Sequence, residues 1–134
     1  MLKKVLLLLI MVSSSMMAGF ITLTTEQFQE EMKKNTVIID IRRAEEWQTY
    51  GVIKGSHKLT FFDSVGRYDI NAWMGEFIKL VKDKEQPFIL VCAHANRTKV
   101  VGELLGVQLG YKNVFELDGG INYGWIDKGY ETVK

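Results

Sequence analysis

The chain has one cysteine, two histidines and one proline among its 134 residues. A lone cysteine cannot close a disulfide within the chain. So few thiols and imidazoles also exclude a zinc site of the usual four-ligand Cys/His kind. Charge of one sign is not in surplus: 17 basic residues face 16 acidic ones, net +1. That balance gives neither the basic excess of a nucleic-acid binder nor the acidic block of a disordered tail. A single proline and twelve glycines rule out collagen-like and low-complexity chains. There is no Gly-rich phosphate loop of the nucleotide-binding type. What the chain does have is 47% hydrophobic residues at a length suited to one small globular domain.

Part of that hydrophobic share lies in the first eighteen residues. Lys3 and Lys4 precede an apolar run from Val5 to Val12, followed by Ser13, Ser14, Ser15 and Ala18. A basic start, a short apolar core and small residues after it predict a secretory signal peptide over residues 1–18. The alternative is an uncleaved membrane anchor, since no charge occurs between Lys4 and Glu26. Phe20 to Leu23 are assigned to the folded domain, which leaves roughly 15 apolar positions where a span needs ~20. Cleavage is expected near Ser13-x-Ser15 or after Ala18. The expected location is therefore periplasmic or secreted, with inner-membrane anchoring as the alternative. Once the leader is gone, 15 basic and 16 acidic residues remain. The roughly 115 residues left are long enough to bury a core. An idle thiol is unusual in an oxidising compartment, which draws attention to the cysteine.

One domain is read over residues 20–134. Thr24-x-x-Gln27 is a capping box, with Leu23 and Phe28 as its hydrophobic staple, and predicts a helix over Thr25 to Lys33. Val37 to Ile41 is a β-branched run typical of a strand buried on both faces. A short helix follows from Ala44 to Thr49. Gly51 and Gly55 then frame a turn into a short strand near His57 to Leu59. Ile70, Trp73, Met74, Phe77, Ile78 and Val81 fall on one helical face. Pro87 to Val91 is the next strand. A helix from Arg97 to Leu109 follows, with apolar Val100, Val101, Leu104 and Leu105, close-packing Gly102 and Gly106, and a stop at Gly110. Asn113 to Leu117 is the last strand, Asp118-Gly-Gly a turn, and Ile121 to Asp127 a final helix. Trp47, Trp73 and Trp125 lie on apolar faces and are expected in the core. His57 is read as structural or exposed. Strands apolar throughout, alternating with helices, imply an α/β fold with a parallel sheet covered by helices on both faces. Ligands of such sheets collect beyond the carboxyl ends of the strands.

That rule leads to Cys92, which ends a predicted strand and is followed by Ala93-His-Ala-Asn-Arg-Thr98 and a helix. A short loop entering a helix turns several N–H groups toward one point, an anion-binding arrangement that favours a thiolate. Arg97 and Lys99 stand in the first turn, where positive charge opposes the helix dipole by ~0.3–1 kcal/mol each. Cations there make sense when an anion or thiolate lies among them. His94 could tune the thiolate or bind substrate, or simply face solvent. A buried, inert cysteine is the competing reading of Cys92. Asp40 and Asp63 do not form a recognisable catalytic carboxylate pair.

Ile39-Asp-Ile-Arg-Arg-Ala-Glu-Glu-Trp47 with Gly51-Val-Ile-Lys-Gly55 resembles the first signature of rhodanese domains. Cys92-Ala-His-Ala-Asn-Arg-Thr98, Leu109-Gly-Tyr-Lys-Asn-Val114 and Leu117-Asp-Gly-Gly-Ile121 to Trp125 resemble the family's active-site loop and C-terminal signature. The resemblance runs in order through residues 20–130. It implies a central parallel sheet of about five strands and makes Cys92 the sulfur-carrying nucleophile. It also implies that Ala93, His94, Ala95, Asn96, Arg97 and Thr98 line the substrate, with Asp40 and Arg42 bracing the pocket from behind. Val52 stands where the family usually has histidine, Lys54 where proline is common, and Ala95 where glycine is frequent. Four residues separate Cys92 from Arg97; the related cell-cycle phosphatases have five, giving a wider cradle.

The resemblance therefore implies a sulfurtransferase that carries sulfane sulfur on Cys92. Its donor would be thiosulfate, a polysulfide or a persulfide, and its acceptor cyanide or a thiol, a protein thiol included. No metal or organic cofactor is expected, no nucleic acid, and a membrane only if the leader stays. The alternatives are a slow sulfur-carrying or binding module for a partner protein, and a phosphatase or arsenate reductase on the same cradle.

Overall fold

The computed structural model describes residues 19–134, and the expected leader lies outside the described residues. Five strands form one sheet in the order β1-β5-β4-β2-β3: β1 Gly19–Leu23, β2 Val37–Asp40, β3 His57–Lys58, β4 Phe88–Val91 and β5 Asn113–Leu117. Every pairing is parallel. Four α-helices connect them and a fifth follows β5: α1 Thr25–Lys33, α2 Ala44–Tyr50, α3 Ile70–Leu80, α4 Asn96–Glu103 and α5 Gly120–Gly124.

Successive side chains of a strand point to opposite faces, and β4 shows why its sequence is apolar throughout. Phe88 and Leu90 enter a core with Trp73 and Phe77 of α3 and Val101 of α4. Ile89 and Val91 enter the opposite core with Phe28 of α1 and Ile121 of α5. All four residues are buried. The capping box forms as the residues predict, with Thr24 Oγ1 accepting from the Gln27 N–H and Gln27 Oε1 from the Thr24 N–H.

Several elements differ from the sequence expectation. Gly19–Leu23 is a strand, paired only with β5. As an edge strand it exposes Ile21 and Thr22, so it lacks the doubly buried signature of its neighbours. Ile78 and Val100 are 54% and 55% exposed. Each sits next to a buried position, and adjacent helical residues point ~100° apart. The helix after Cys92 turns α only to Glu103 and widens into a π turn over Leu104–Gln108, where the Leu109 N–H donates to the Leu104 carbonyl at 3.0 Å. Gly102 lies directly beneath the Phe20 ring, so a side chain there would push that ring aside. The last helix breaks at Trp125, and Ile126–Lys128 adds one 3₁₀ turn. Trp73 and Trp125 are buried, whereas Trp47 is half-exposed with Lys58 Nζ 5.6 Å above its ring.

Candidate active site

The carboxyl ends of β2 and β4 bring the predicted residues together. Ile41 continues β2 by donating its N–H to the Val91 carbonyl at 3.0 Å. The chain leaves β4 at Cys92, whose residue is 1% exposed. Any molecule that reaches the sulfur must therefore bring a small terminal atom into the loop. Ala93 and Ala95 are buried, while His94 and Asn96 face outward.

The loop is unusual in where its main-chain hydrogen bonds go. Among the described residues, no N–H of Ala93, His94, Ala95, Asn96, Arg97 or Thr98 has a hydrogen-bond acceptor. Two carbonyls at the start of the loop are engaged. Cys92 O accepts from Ile121 N at 2.8 Å, and Ala93 O from Asn122 N at 3.0 Å. Ala95 caps α4 in the left-handed conformation, φ 62° and ψ 19°, without a side-chain cap bond. A left-handed residue followed by a right-handed helix makes consecutive amides converge into an anion-binding concavity. The alanine keeps the turn that glycine would adopt freely, at a cost of roughly 1–2 kcal/mol.

Both cations at the start of α4 find protein partners. Arg97 Nη1 and Nη2 donate to Glu46 Oε1 and Oε2, each at 2.7 Å. Glu46 is delivered by α2, where it also accepts from the Arg43 N–H at 3.2 Å. Burial works to raise the Glu46 carboxyl, but Arg97 and the Arg43 N–H outweigh it and hold the group below its ordinary 4.5. The Glu46 hydrogen bonds raise the Arg97 guanidinium against the opposing effect of burial, with smaller pulls in the same direction from negative charge at Cys92 and Asp40. Arg97 thus places positive charge near the sulfur, with two of its five N–H donors committed to Glu46.

Thr98 and Lys99 converge on Glu116, a fully buried carboxylate on β5. Thr98 Oγ1 donates to Glu116 Oε1 at 2.7 Å and stands 3.6 Å from Cys92 Sγ. Lys99 Nζ and Thr22 Oγ1 both donate to Glu116 Oε2 at 2.6 Å. Neither Glu46 nor Glu116 figures among the residues expected from sequence. Glu116 had a readable signal, a carboxylate inside a strand otherwise fit to be buried on both faces. Glu46 had none, being 51 positions from Arg97.

Asp40 and Arg42 form an ion pair with both side chains 0% exposed. Arg42 Nη2 donates to Asp40 Oδ2 and to the Gly51 carbonyl, each at 2.7 Å. The pair joins the end of β2 to the turn at Gly51. His94 at the loop's outer side shares a 3.2 Å hydrogen bond with Asn122, and its ring lies 4.8 Å from that of Tyr123. His57 is exposed.

The family model for the rhodanese-like domain matches residues 24–127. The chain belongs to the rhodanese-like family. Thiosulfate sulfurtransferase GlpE of Haemophilus influenzae (strain 86-028NP) is 32% identical over 107 residues, which cover 80% of this chain and 89% of that protein. The structure of a thiosulfate sulfurtransferase from Pseudomonas aeruginosa aligns with a TM-score of 0.63 at 25% identity, over 84% of this chain and 20% of that one. A polysulfide-sulfur transferase homodimer from Wolinella succinogenes shares the fold, with a TM-score of 0.63 at 20% identity over 86% of this chain and 79% of that one. Of the rhodanese positions where this chain departs, Val52 is buried and forms an antiparallel bridge with Val133, and Lys54 is exposed.

Proposed function

We propose that this rhodanese-like chain is a sulfurtransferase carrying sulfane sulfur on Cys92. The observation that supports it most is a sulfhydryl at the end of β4 beside six main-chain N–H groups, 93 to 98, without acceptors among the described residues. Such a nest suits an anionic outer sulfur. The Cys92 thiolate attacks the terminal sulfur of thiosulfate. The new S–S bond forms as the donor's S–S bond breaks, and sulfite leaves with the electron pair. Cyanide or a thiolate then takes the outer sulfur, giving thiocyanate or a new persulfide and restoring the Cys92 thiolate. This is two-step covalent catalysis with ping-pong kinetics. Thiosulfate, a polysulfide or a small persulfide fits the narrow access to Sγ, and the acceptor is a small nucleophile or an extended thiol. Arg97 supplies positive charge beside the sulfur and, through Glu46, ties the loop to α2.

The test is intact-mass measurement after incubation with thiosulfate. We expect a gain of one sulfur atom that cyanide removes, and no gain in Cys92→Ala. Equal thiocyanate turnover by the two proteins would eliminate the assignment. Sulfur loading with negligible turnover would favour the second reading, a slow sulfur-carrying module, which the 1% exposure of Cys92 motivates.

The basic and apolar leader further supports export to the periplasm with cleavage before the domain. N-terminal sequencing of the protein from a periplasmic fraction checks this; recovery of the intact N-terminus in membranes would indicate anchoring instead.

A further inference from the structure

A buried carboxylate that takes no direct part in sulfur transfer sits one hydroxyl away from the nucleophile. Val114 and Glu116 share a face of β5 because strand side chains alternate. Val114 lies in the core on the α4 side, and Glu116 accordingly meets α4 at Thr98 and Lys99. Thr98 has one hydroxyl hydrogen and two neighbours that could receive it: Glu116 Oε1 at 2.7 Å and Cys92 Sγ at 3.6 Å. A short bond to an ionised carboxylate is among the stronger hydrogen bonds, so the hydrogen goes to Glu116. Thr98 then presents a lone pair to the sulfur. That arrangement accepts an S–H from the thiol and repels a thiolate.

We propose that Glu116 is a positioning residue that acts through Thr98 to disfavour the free Cys92 thiolate relative to both the thiol and the persulfide. In the persulfide the negative charge resides on the outer sulfur, and the inner sulfur needs no donor from Thr98. Glu116 thereby makes Cys92 a stronger nucleophile when ionised and a poorer leaving group when loaded, shifting the balance toward the sulfur-bearing state. The consequence for sulfur transfer rests on the function proposed above; the effect on the thiol itself does not. Other charged or titratable groups around the sulfur are Arg97 on α4, the Asp40–Arg42 pair after β2, Glu46 on α2 and His94 in the loop. Around Glu116 they are Lys99 and Glu103 of α4, with Thr22 as a neutral donor. The neutral substitutions below leave all of those charges in place.

Cys92 is the only cysteine, so ultraviolet thiolate absorbance against pH, corrected with a Cys92→Ser titration, reads its ionisation without requiring a reagent to enter the loop. Glu116→Gln should move the midpoint about one pH unit lower. Thr22→Val removes one donor from Glu116 Oε2, strengthens the pull of the carboxylate on the Thr98 hydrogen, and should raise the midpoint by about a few tenths of a unit. In a Thr98→Val background the Glu116→Gln shift should fall to less than half its size. An unchanged or raised midpoint in Glu116→Gln, or the same shift without the Thr98 hydroxyl, overturns the proposal. Should Glu116→Gln fail to fold, Thr22→Val decides alone, and an unchanged or lowered midpoint overturns it. The titration needs no sulfur donor, so failure of sulfur loading and failure of this inference are separate results.

Discussion

Replacing Gly120 with alanine should damage the active-site loop far more than the same change at Gly55, although both glycines have positive φ. Gly120 has φ +66° and Gly55 φ +87°. An L-residue in that conformation costs roughly 1–2 kcal/mol, against which the stiffer unfolded chain returns about 0.5–1 kcal/mol. At Gly55 nothing lies within 4 Å of the added carbon, so the net cost should be about 1 kcal/mol. At Gly120 the carbon would stand 2.5 Å from the Ala93 carbonyl oxygen and 2.6 Å from that of Cys92. Both are main-chain atoms flanking the Cys92 side chain, and both are fixed by hydrogen bonds from Ile121 and Asn122. Overpacking against a backbone that cannot rotate away adds roughly 1–3 kcal/mol, for a total of about 3 kcal/mol. Denaturant unfolding of the two variants with an unchanged m-value measures the difference. On the proposed function, Gly120→Ala should also lose most of its sulfur loading, because relief of the contact moves the peptide after Cys92. Costs equal to within about 0.5 kcal/mol would show that the α5 turn does not brace the loop.

Breaking the buried ion pair gives a second expectation. Asp40→Asn leaves Arg42 charged and 0% exposed without its carboxylate, and should cost about 3–5 kcal/mol by denaturant unfolding. Replacing both members by apolar residues of similar volume should cost less than the single change. Acid provides a third test, through Glu46. Its folded-state carboxyl lies below the ordinary 4.5, so the pair with Arg97 stabilises fully above that value and is lost as pH falls through the lower folded value. Glu46→Gln should flatten the decline of stability below pH 4.5, and thermal melts across that range read the change.

Local chemistry made much of the fold legible. The Thr24–Gln27 box starts α1 where the residues place it, the apolar runs at Val37 and Phe88 became β2 and β4, and the segment from Asn113 became β5. Cys92 emerged at the end of a strand because that strand is continuous in its apolar character. β1 was harder to read. Its residues follow an apolar leader directly, and an edge strand carries only half of the burial signal. The π turn also escaped, since the apolar spacing from Val101 to Leu105 is compatible with either helix. At the site, residues close in sequence were recoverable and their anchors were not. Arg97, Thr98 and Lys99 were all visible beside Cys92, whereas their carboxylate partners come from α2 and β5.

Those partners change what the cationic start of α4 means. Arg97 and Lys99 oppose the helix dipole, and a thiolate or bound anion offered one explanation for them. Glu46 and Glu116 already answer the two charges, so the cations alone do not demand an anionic ligand. The amides make a stronger case. Six N–H groups sealed away without acceptors, at ~1–3 kcal/mol each, would consume most of the ~5–15 kcal/mol that stabilises a small domain. Ala93, Ala95 and Thr98 are themselves buried, so an anion drawn into the loop would supply the acceptors these N–H groups lack. Restraint comes from outside the loop: Glu46 holds Arg97, Glu116 holds Thr98, and the α5 turn holds the carbonyls of Cys92 and Ala93. With the Cys92 and Ala93 carbonyls engaged by α5 and the N–H groups of 93 to 98 without acceptors among the described residues, the loop has the polarity that an anionic sulfur chain requires.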